Sequence, residues 1–261
     1  MSEANPYRPP AARVEDVVNA AAETGEFVDG GQGVAAGRGW GWIADGFGFF
    51  KKQPGAWILI TIVLGIIFIV LGLVPLLGAI ATWVLYPVFA GGIMMGCHAA
   101  AEGGEIEVGH LFAGFKNRAG ALVVIGLLSI VAWIIVMIPV FVVAGAGVFF
   151  GTMQGDPNAM AALGPSVLLA WLVTLGLAVP VYMALWFAPA LVTLREIPPI
   201  EALKQSFRGC LKNVVPFLVY GIVVMVLTIL AAIPLGLGLL VMMPVIMASV
   251  YVAYGDIFFR S

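Results

Sequence analysis

Long uncharged runs alternate along this chain with short amphipathic segments. The stretch 53–101 holds no Asp, Glu, Lys or Arg, and neither does 213–255. Each is long enough for two bilayer crossings at about 20 residues per transmembrane helix. A third apolar region, 119–194, is broken at Gly151-Thr-Met-Gln-Gly-Asp-Pro-Asn158, a stretch with turn chemistry. The pattern predicts spans near 54–74, 76–101, 119–150, 165–194, 214–233 and 235–253. Ahead of each pair lies a short polar segment with apolar residues at helical spacing. Trp40, Ile43, Phe47 and Phe50 mark the first; Val108, Leu111, Phe112 and Phe115 mark the second; residues 200–212 form the third. Helices with one apolar face and flanking cations suit a bilayer interface. The expected fold is an all-α membrane protein, its six transmembrane helices arranged as three hairpins, each preceded by a short interfacial amphipathic helix.

The three units share landmarks. Phe50, Phe115 and Phe207 are each followed by a cation, Lys51, Lys116 and Arg208. An aliphatic–Pro pair follows in each, Val74-Pro75, Ile138-Pro139 and Ile233-Pro234, and a second proline, Pro87, Pro189 or Pro244, comes later. Phe50 to Pro87 and Phe207 to Pro244 have the same separation, while Phe115 to Pro189 has twice that, placing an insertion in the middle copy. A threefold repeat over 38–101, 105–194 and 199–254 is the reading adopted, against three independent hairpins obeying common membrane rules. Residues 38–258 are then a single six-span domain. Residues 1–37, Ala- and Gly-rich behind the head Asn5-Pro-Tyr-Arg-Pro-Pro10, are expected to be a disordered cytoplasmic tail, and 259–261 a cytoplasmic C-terminus.

Composition sharpens the class. Hydrophobic residues make up 62% and charged residues 10%, against roughly 45–50% and 25% in soluble domains, so a soluble fold is excluded. A net charge of −2 offers no field for nucleic acid. Stretch 1–37 lacks the apolar core of a secretory signal, so the first span is expected to serve as an uncleaved insertion signal. Two cysteines, Cys97 and Cys210, cannot form a disulfide framework. The 12 Lys and Arg residues all fall on one side of a six-span chain, which makes that side cytoplasmic with both termini on it. The location expected is a bacterial inner membrane.

Candidate chemistry is sparse. Lys51, Lys52, Lys116, Arg118, Lys204, Arg208 and Lys212 are placed to meet lipid headgroups. Pro87, Pro189 and Pro244 are candidate kinks, and Gly92 and Gly96 candidate close-packing positions, as are Gly147 and Gly151. His98 with Glu102, and His110 with Glu105 and Glu107, could offer metal ligands. They lie at a span end with no second cluster, so neither a metal nor a cofactor is expected. Thr61, Thr82, Ser129, Thr174, Thr228 and Ser249 have no mid-depth base to activate them, which argues against an enzyme. The same lack of intramembrane charge disfavours a proton-driven pump. Cys210 reads as an inert thiol. The expectation is a non-catalytic protein that organises the membrane or a membrane complex, with a passive transporter or lipid-handling protein for neutral or apolar molecules as the alternative. Membrane lipids are the expected partners; Asn5–Pro10 reads as an inert solubilising tail or, alternatively, a docking peptide for a protein, and the glycine pairs as packing within the chain or, alternatively, contact with a second copy; nucleic acid is not expected.

Gly37-Arg-Gly-Trp40, Phe49-Phe-Lys51, His110-Leu-Phe-Ala-Gly-Phe115, Trp186-Phe-Ala-Pro-Ala-Leu191, Ala202-Leu-Lys-Gln-Ser-Phe207 and Asp256-Ile-Phe258 resemble a proteobacterial six-span inner-membrane family typed from a Burkholderia locus. The likeness runs over about 37–258. More loosely, the helix-plus-hairpin pattern is similar to YciC-type inner-membrane proteins and to membrane domains fused to some glycerophosphodiester phosphodiesterases. The resemblance implies a bacterial cytoplasmic membrane and brings no catalytic residues. The mitochondrial carriers also have three repeats, but their charged residue soon after the kinking proline is missing after Pro87 and Pro244.

Overall fold

The structure, a computed structural model, describes residues 25–154 and 164–260. Asn5–Pro10 and the turn around Asp156 lie outside the described residues. A two-residue strand, β1 (Glu26–Phe27), leads to α1 (Arg38–Lys52), α2 (Pro54–Gly72) and α3 (Leu77–Ala101). A 3₁₀ turn at Val108–Phe112 runs into α4 (Ala113–Lys116), followed by α5 (Ala119–Gln154) and α6 (Gly164–Trp186). Then come α7 (Ala188–Arg195), α8 (Pro199–Lys212), α9 (Val214–Ala232), α10 (Leu239–Phe258) and β2 (Phe259–Arg260). Among the described residues, 6 helical stretches are long and apolar enough to cross a membrane, α6 and α7 counting as one. The fold is all-α, as the hydrophobic pattern requires.

Proline and polarity punctuate the helices. Pro54 and Pro199 stand in first turns, where a missing N–H is no loss, while Lys51, Lys52 and Lys212 sit in last turns, complementing the dipole. Pro87 and Pro244 lie inside helices as expected. Pro189 does not: it stands in the first turn of α7, after a break at Phe187. The sixth span begins at Leu239 rather than 235, because the N–H groups of Leu235, Gly236 and Leu237 bond back into a turn.

The three lead-in segments pack alike. Helix α1 lies against α9 and α10, the 3₁₀ turn and α4 against α2 and α3, and α8 against α5, α6 and α7. Each segment thus covers the hairpin preceding it, and α1 closes the circle on the last one. Each has one face packed on the bundle and keeps exposed apolar residues on another, such as Trp40, Phe112 and Leu211. In α1, Ile43 and Phe50 are buried as part of the bundle, while Trp40 and Phe47 stay exposed. Its most buried faces are Trp42, ringed by Phe217 and Tyr220 at 5.1 and 5.9 Å, and Phe49, edge-on to Tyr251 at 5.8 Å. Gly46 permits this approach, since a Cβ there would lie 2.8 Å from Val245 O. Gly92 does the same for the second segment: its Cβ would run into the His110 carbonyl. Gly92 and Gly96 therefore serve contacts within the chain.

Residues 25–37 depart from the disordered tail expected for 1–37. They dock on the C-terminal end, Glu26 and Phe27 pairing antiparallel with Arg260 and Phe259. Gln32 donates from Nε2 to the carbonyls of Asp256 (3.0 Å) and Phe259 (2.7 Å). Asn213, fully buried, accepts from Val34 N–H at 2.8 Å and donates to the Gln32 carbonyl at 2.7 Å. Such reciprocal satisfaction makes a buried amide tolerable. Arg38 bridges Asp256 (2.5 Å) and Asp45 (3.1 Å), and Trp42 Nε1 donates to the same Asp256 carboxylate at 2.8 Å. Burial pulls the Arg38 guanidinium down, but its bonds and charge contacts with Asp256 and Asp45 outweigh this and raise it. The Arg195 guanidinium lies over the rings of Phe27 and Phe259.

Candidate functional site

The fourth span breaks where a side chain enters its backbone ladder. In an unbroken α-helix the N–H of Phe187 would bond the carbonyl of Met183. Here Phe187 N–H donates to Ser206 Oγ at 2.9 Å, and that hydroxyl donates onward to the Met183 carbonyl at 2.7 Å. An inserted side chain is a recognised cause of a sharp helix break. Pro189, two residues on, has no N–H to offer the Leu185 carbonyl, so the ladder cannot re-form at once. Ser206 comes from α8 and is fully buried. Cys210, one turn further along α8, is buried too, and burial pushes its thiol up to about 12, leaving no appreciable thiolate near neutral pH.

Beside the break lies a cavity of about 430 Å³. That is within the roughly 300–1,000 Å³ of small-molecule sites. Helix α2 lends Leu64 and Phe68; α3 lends Thr82, Trp83, Tyr86, Pro87, Ala90 and Met94; α5 lends Ile125, Ser129 and Trp133. The broken span supplies Tyr182, Leu185, Trp186, Pro189 and Ala190, and α10 supplies Ile246, Met247 and Val250. No lining residue carries a charge. The hydroxyls of Thr82 and Ser129 bond carbonyls of their own helices, so the polar content left to the wall is small. Trp133 joins the aromatic rim, its ring 5.8 Å from Trp83 and 5.0 Å from Tyr182. Such a wall can hold an apolar, neutral molecule by burial and offer phenol hydroxyls to a weakly polar group. It has no charged side chain with which to pair an ion.

Pro87 and Pro189, singled out as kinks, border this cavity; Pro244 is buried in α10 but is not among its lining residues. The candidate headgroup cations are dispersed. Lys52 and Lys116 are exposed, and Lys51 lies over the Phe47 ring. Arg118 pairs with Glu196, and Lys204 lies 3.7 Å from Glu201. Lys212 donates to the Gly31 carbonyl at 2.6 Å, and the Arg208 side chain lies against Gly30. His98 stands 3.5 Å from Glu102 and 3.2 Å from the Tyr251 hydroxyl. No group of three or more metal-ligating side chains occurs among the described residues. Ser206 carried no signal as an isolated residue. Ala202, Ser206 and Cys210 do form a stripe of small residues at i, i+4, i+8, which marks the face of α8 that meets another helix closely.

The architecture and the uncharged interior define a multi-pass helical membrane protein. A "probable inner membrane protein" of Burkholderia thailandensis is 30% identical over 242 residues, an alignment covering 85% of this chain and 89% of that one. The chain belongs to this bacterial inner-membrane protein family. No protein-family model and no solved structure matches it.

Proposed function

We propose that this inner-membrane protein is non-catalytic and holds an apolar, electrically neutral molecule taken from the surrounding membrane, as a lipid-handling protein or passive carrier would. The observation that carries the reading is the uncharged 430 Å³ cavity beside the broken fourth span. Non-helical backbone at membrane depth is tolerated where it is buried in protein or lines a cavity, and discontinuous spans recur at transporter binding sites. The lead-in helices that would have served a membrane-organising role are turned onto the bundle, which leaves less surface for that reading. In this proposal both termini face the cytoplasm, because the cations gather at that end of the spans.

The test is analysis of what co-purifies. Protein extracted in nanodiscs is compared with Ala90→Phe, which fills the cavity from α3. Wild type should carry a neutral lipid-like species in near-stoichiometric amount, and Ala90→Phe, folded to a similar unfolding midpoint, should lose most of it. The same species at the same level in both proteins, or none in wild type, overturns the proposal.

A further inference from the structure

The far ends of the first and third hairpins are built without water in mind. Between Thr61 and Thr82, and again between Thr228 and Ser249, no side chain carries a hydroxyl, amide or charged group. The turn residues are nonetheless exposed: Leu73 and Leu76 at 75%, and Leu235 at 97%. Water-facing turns use Gly, Asn, Asp or Ser, the residues that tolerate positive φ or bond the backbone locally. These turns place leucine where φ is positive, Leu76 at 60° and Leu235 at 52°, each directly after a proline, with Gly236 following in the second at 78°.

Most of their backbone N–H groups are paired within the turn, those of Leu76 and Gly238 excepted. In the first turn, the N–H groups of Val74, Leu77 and Gly78 reach the carbonyls of Leu71, Pro75 and Val74, and Pro75 has none to satisfy. In the second, Leu235, Gly236 and Leu237 likewise donate to nearby carbonyls, and Pro234 has none. Pairing of backbone groups within the turn is what a hydrocarbon surrounding favours. Length points the same way. Helices α2 and α9 have 19 residues each. At about 1.5 Å per residue they reach roughly 28 Å, just short of a core about 30 Å thick, and any tilt shortens them further. The middle hairpin differs: α5 has 36 residues, and the sequence beyond it carries Asp156 and Asn158.

We infer that the Pro-Leu tips of the first and third hairpins are lipid-embedded. They end among the acyl chains of the leaflet opposite the cation-bearing end, and only the middle hairpin emerges there. The occupant of these exposed leucine surfaces is bilayer hydrocarbon. This holds whether or not the cavity binds a ligand.

Nitroxide labels on Leu76→Cys and Leu235→Cys, in phosphatidylethanolamine–phosphatidylglycerol vesicles, read the surroundings directly. Leu235 makes almost no contact, so labelling there leaves the fold intact, and native Cys97 and Cys210 are buried from the reagent. Collisions with oxygen should exceed those with a water-soluble nickel chelate several-fold, and a label on Glu105→Cys should show the reverse. Preference for the chelate at the tips, meaning water, overturns the inference. So does exclusion of both reagents, meaning cover by a second copy or another protein. A second variant separates the cases by sign. Leu235→Asn suits positive φ and should raise the unfolding midpoint of a water-facing turn; embedded in hydrocarbon, it should lower it.

Discussion

Replacing Ser206 by alanine removes one hydroxyl and two hydrogen bonds, those to Phe187 N–H and the Met183 carbonyl. Both groups belong to backbone that α8 seals, since Ser206 is 0% exposed and no water can take its place. A buried orphan costs about 1–3 kcal/mol in soluble proteins. Within membrane bundles the measured worth of a side-chain hydrogen bond averages about 0.6 kcal/mol and reaches about 1.7, because the unfolded chain also finds partners. Two bonds therefore amount to about 1–3 kcal/mol. At about 2–4 °C per kcal/mol for a domain this size, the unfolding midpoint in nanodiscs should fall by roughly 2–12 °C. Amide exchange, followed by mass spectrometry on peptides spanning 183–190, should change at Phe187 before it changes elsewhere. Ser206→Cys, near in shape with a weak donor, should fall between wild type and alanine. An unchanged midpoint together with unchanged exchange at Phe187 would refute the assignment of the break to this hydroxyl.

Two further outcomes follow from the chain's near end. Asp256→Asn weakens the bond from Arg38 and upsets that from Trp42; with Arg38 partly exposed, a loss of about 1–2 kcal/mol is expected, read as a lower unfolding midpoint. Cys210, its thiol raised to about 12 by burial, should resist maleimide between pH 7 and 9 (roughly three or more units below its titration) and react once the protein is unfolded; labelling of the native protein at pH 7 would contradict that burial.

How much of this was legible in the sequence follows from the range of the interactions involved. The spans were visible because a lack of charge over 20 residues is a local property, read without knowing any partner. The buried faces of the lead-in helices were not. The wheel of α1 displayed Trp40, Ile43, Phe47 and Phe50 as one apolar face suited to lipid, whereas the bundle buries Trp42 and Phe49 and leaves Trp40 and Phe47 outside. Both faces are apolar, and only the position of α9 and α10 decides between them. Pro189 announced an irregularity, but the break falls at Phe187 because Ser206, on another helix, supplies the competing bond. Gln32 and Asn213 were hidden for the same reason. Each is an ordinary polar residue until a partner more than 180 positions away is in place.

The clasp that joins the two ends of the chain also dictates an order of assembly. Residues 26–42 precede most of their partners in the chain: apart from Asp45 and Arg195, those partners lie between Arg208 and Arg260. Until the last hairpin is in place, Trp42 and Gln32 lack their hydrogen-bond partners, Arg38 has Asp45 alone, and the bundle-facing side of α1 is uncovered. Closure of the clasp therefore requires the segment 256–260 to be present. A chain cut short before α10 would leave that face of α1, Phe49 included, open.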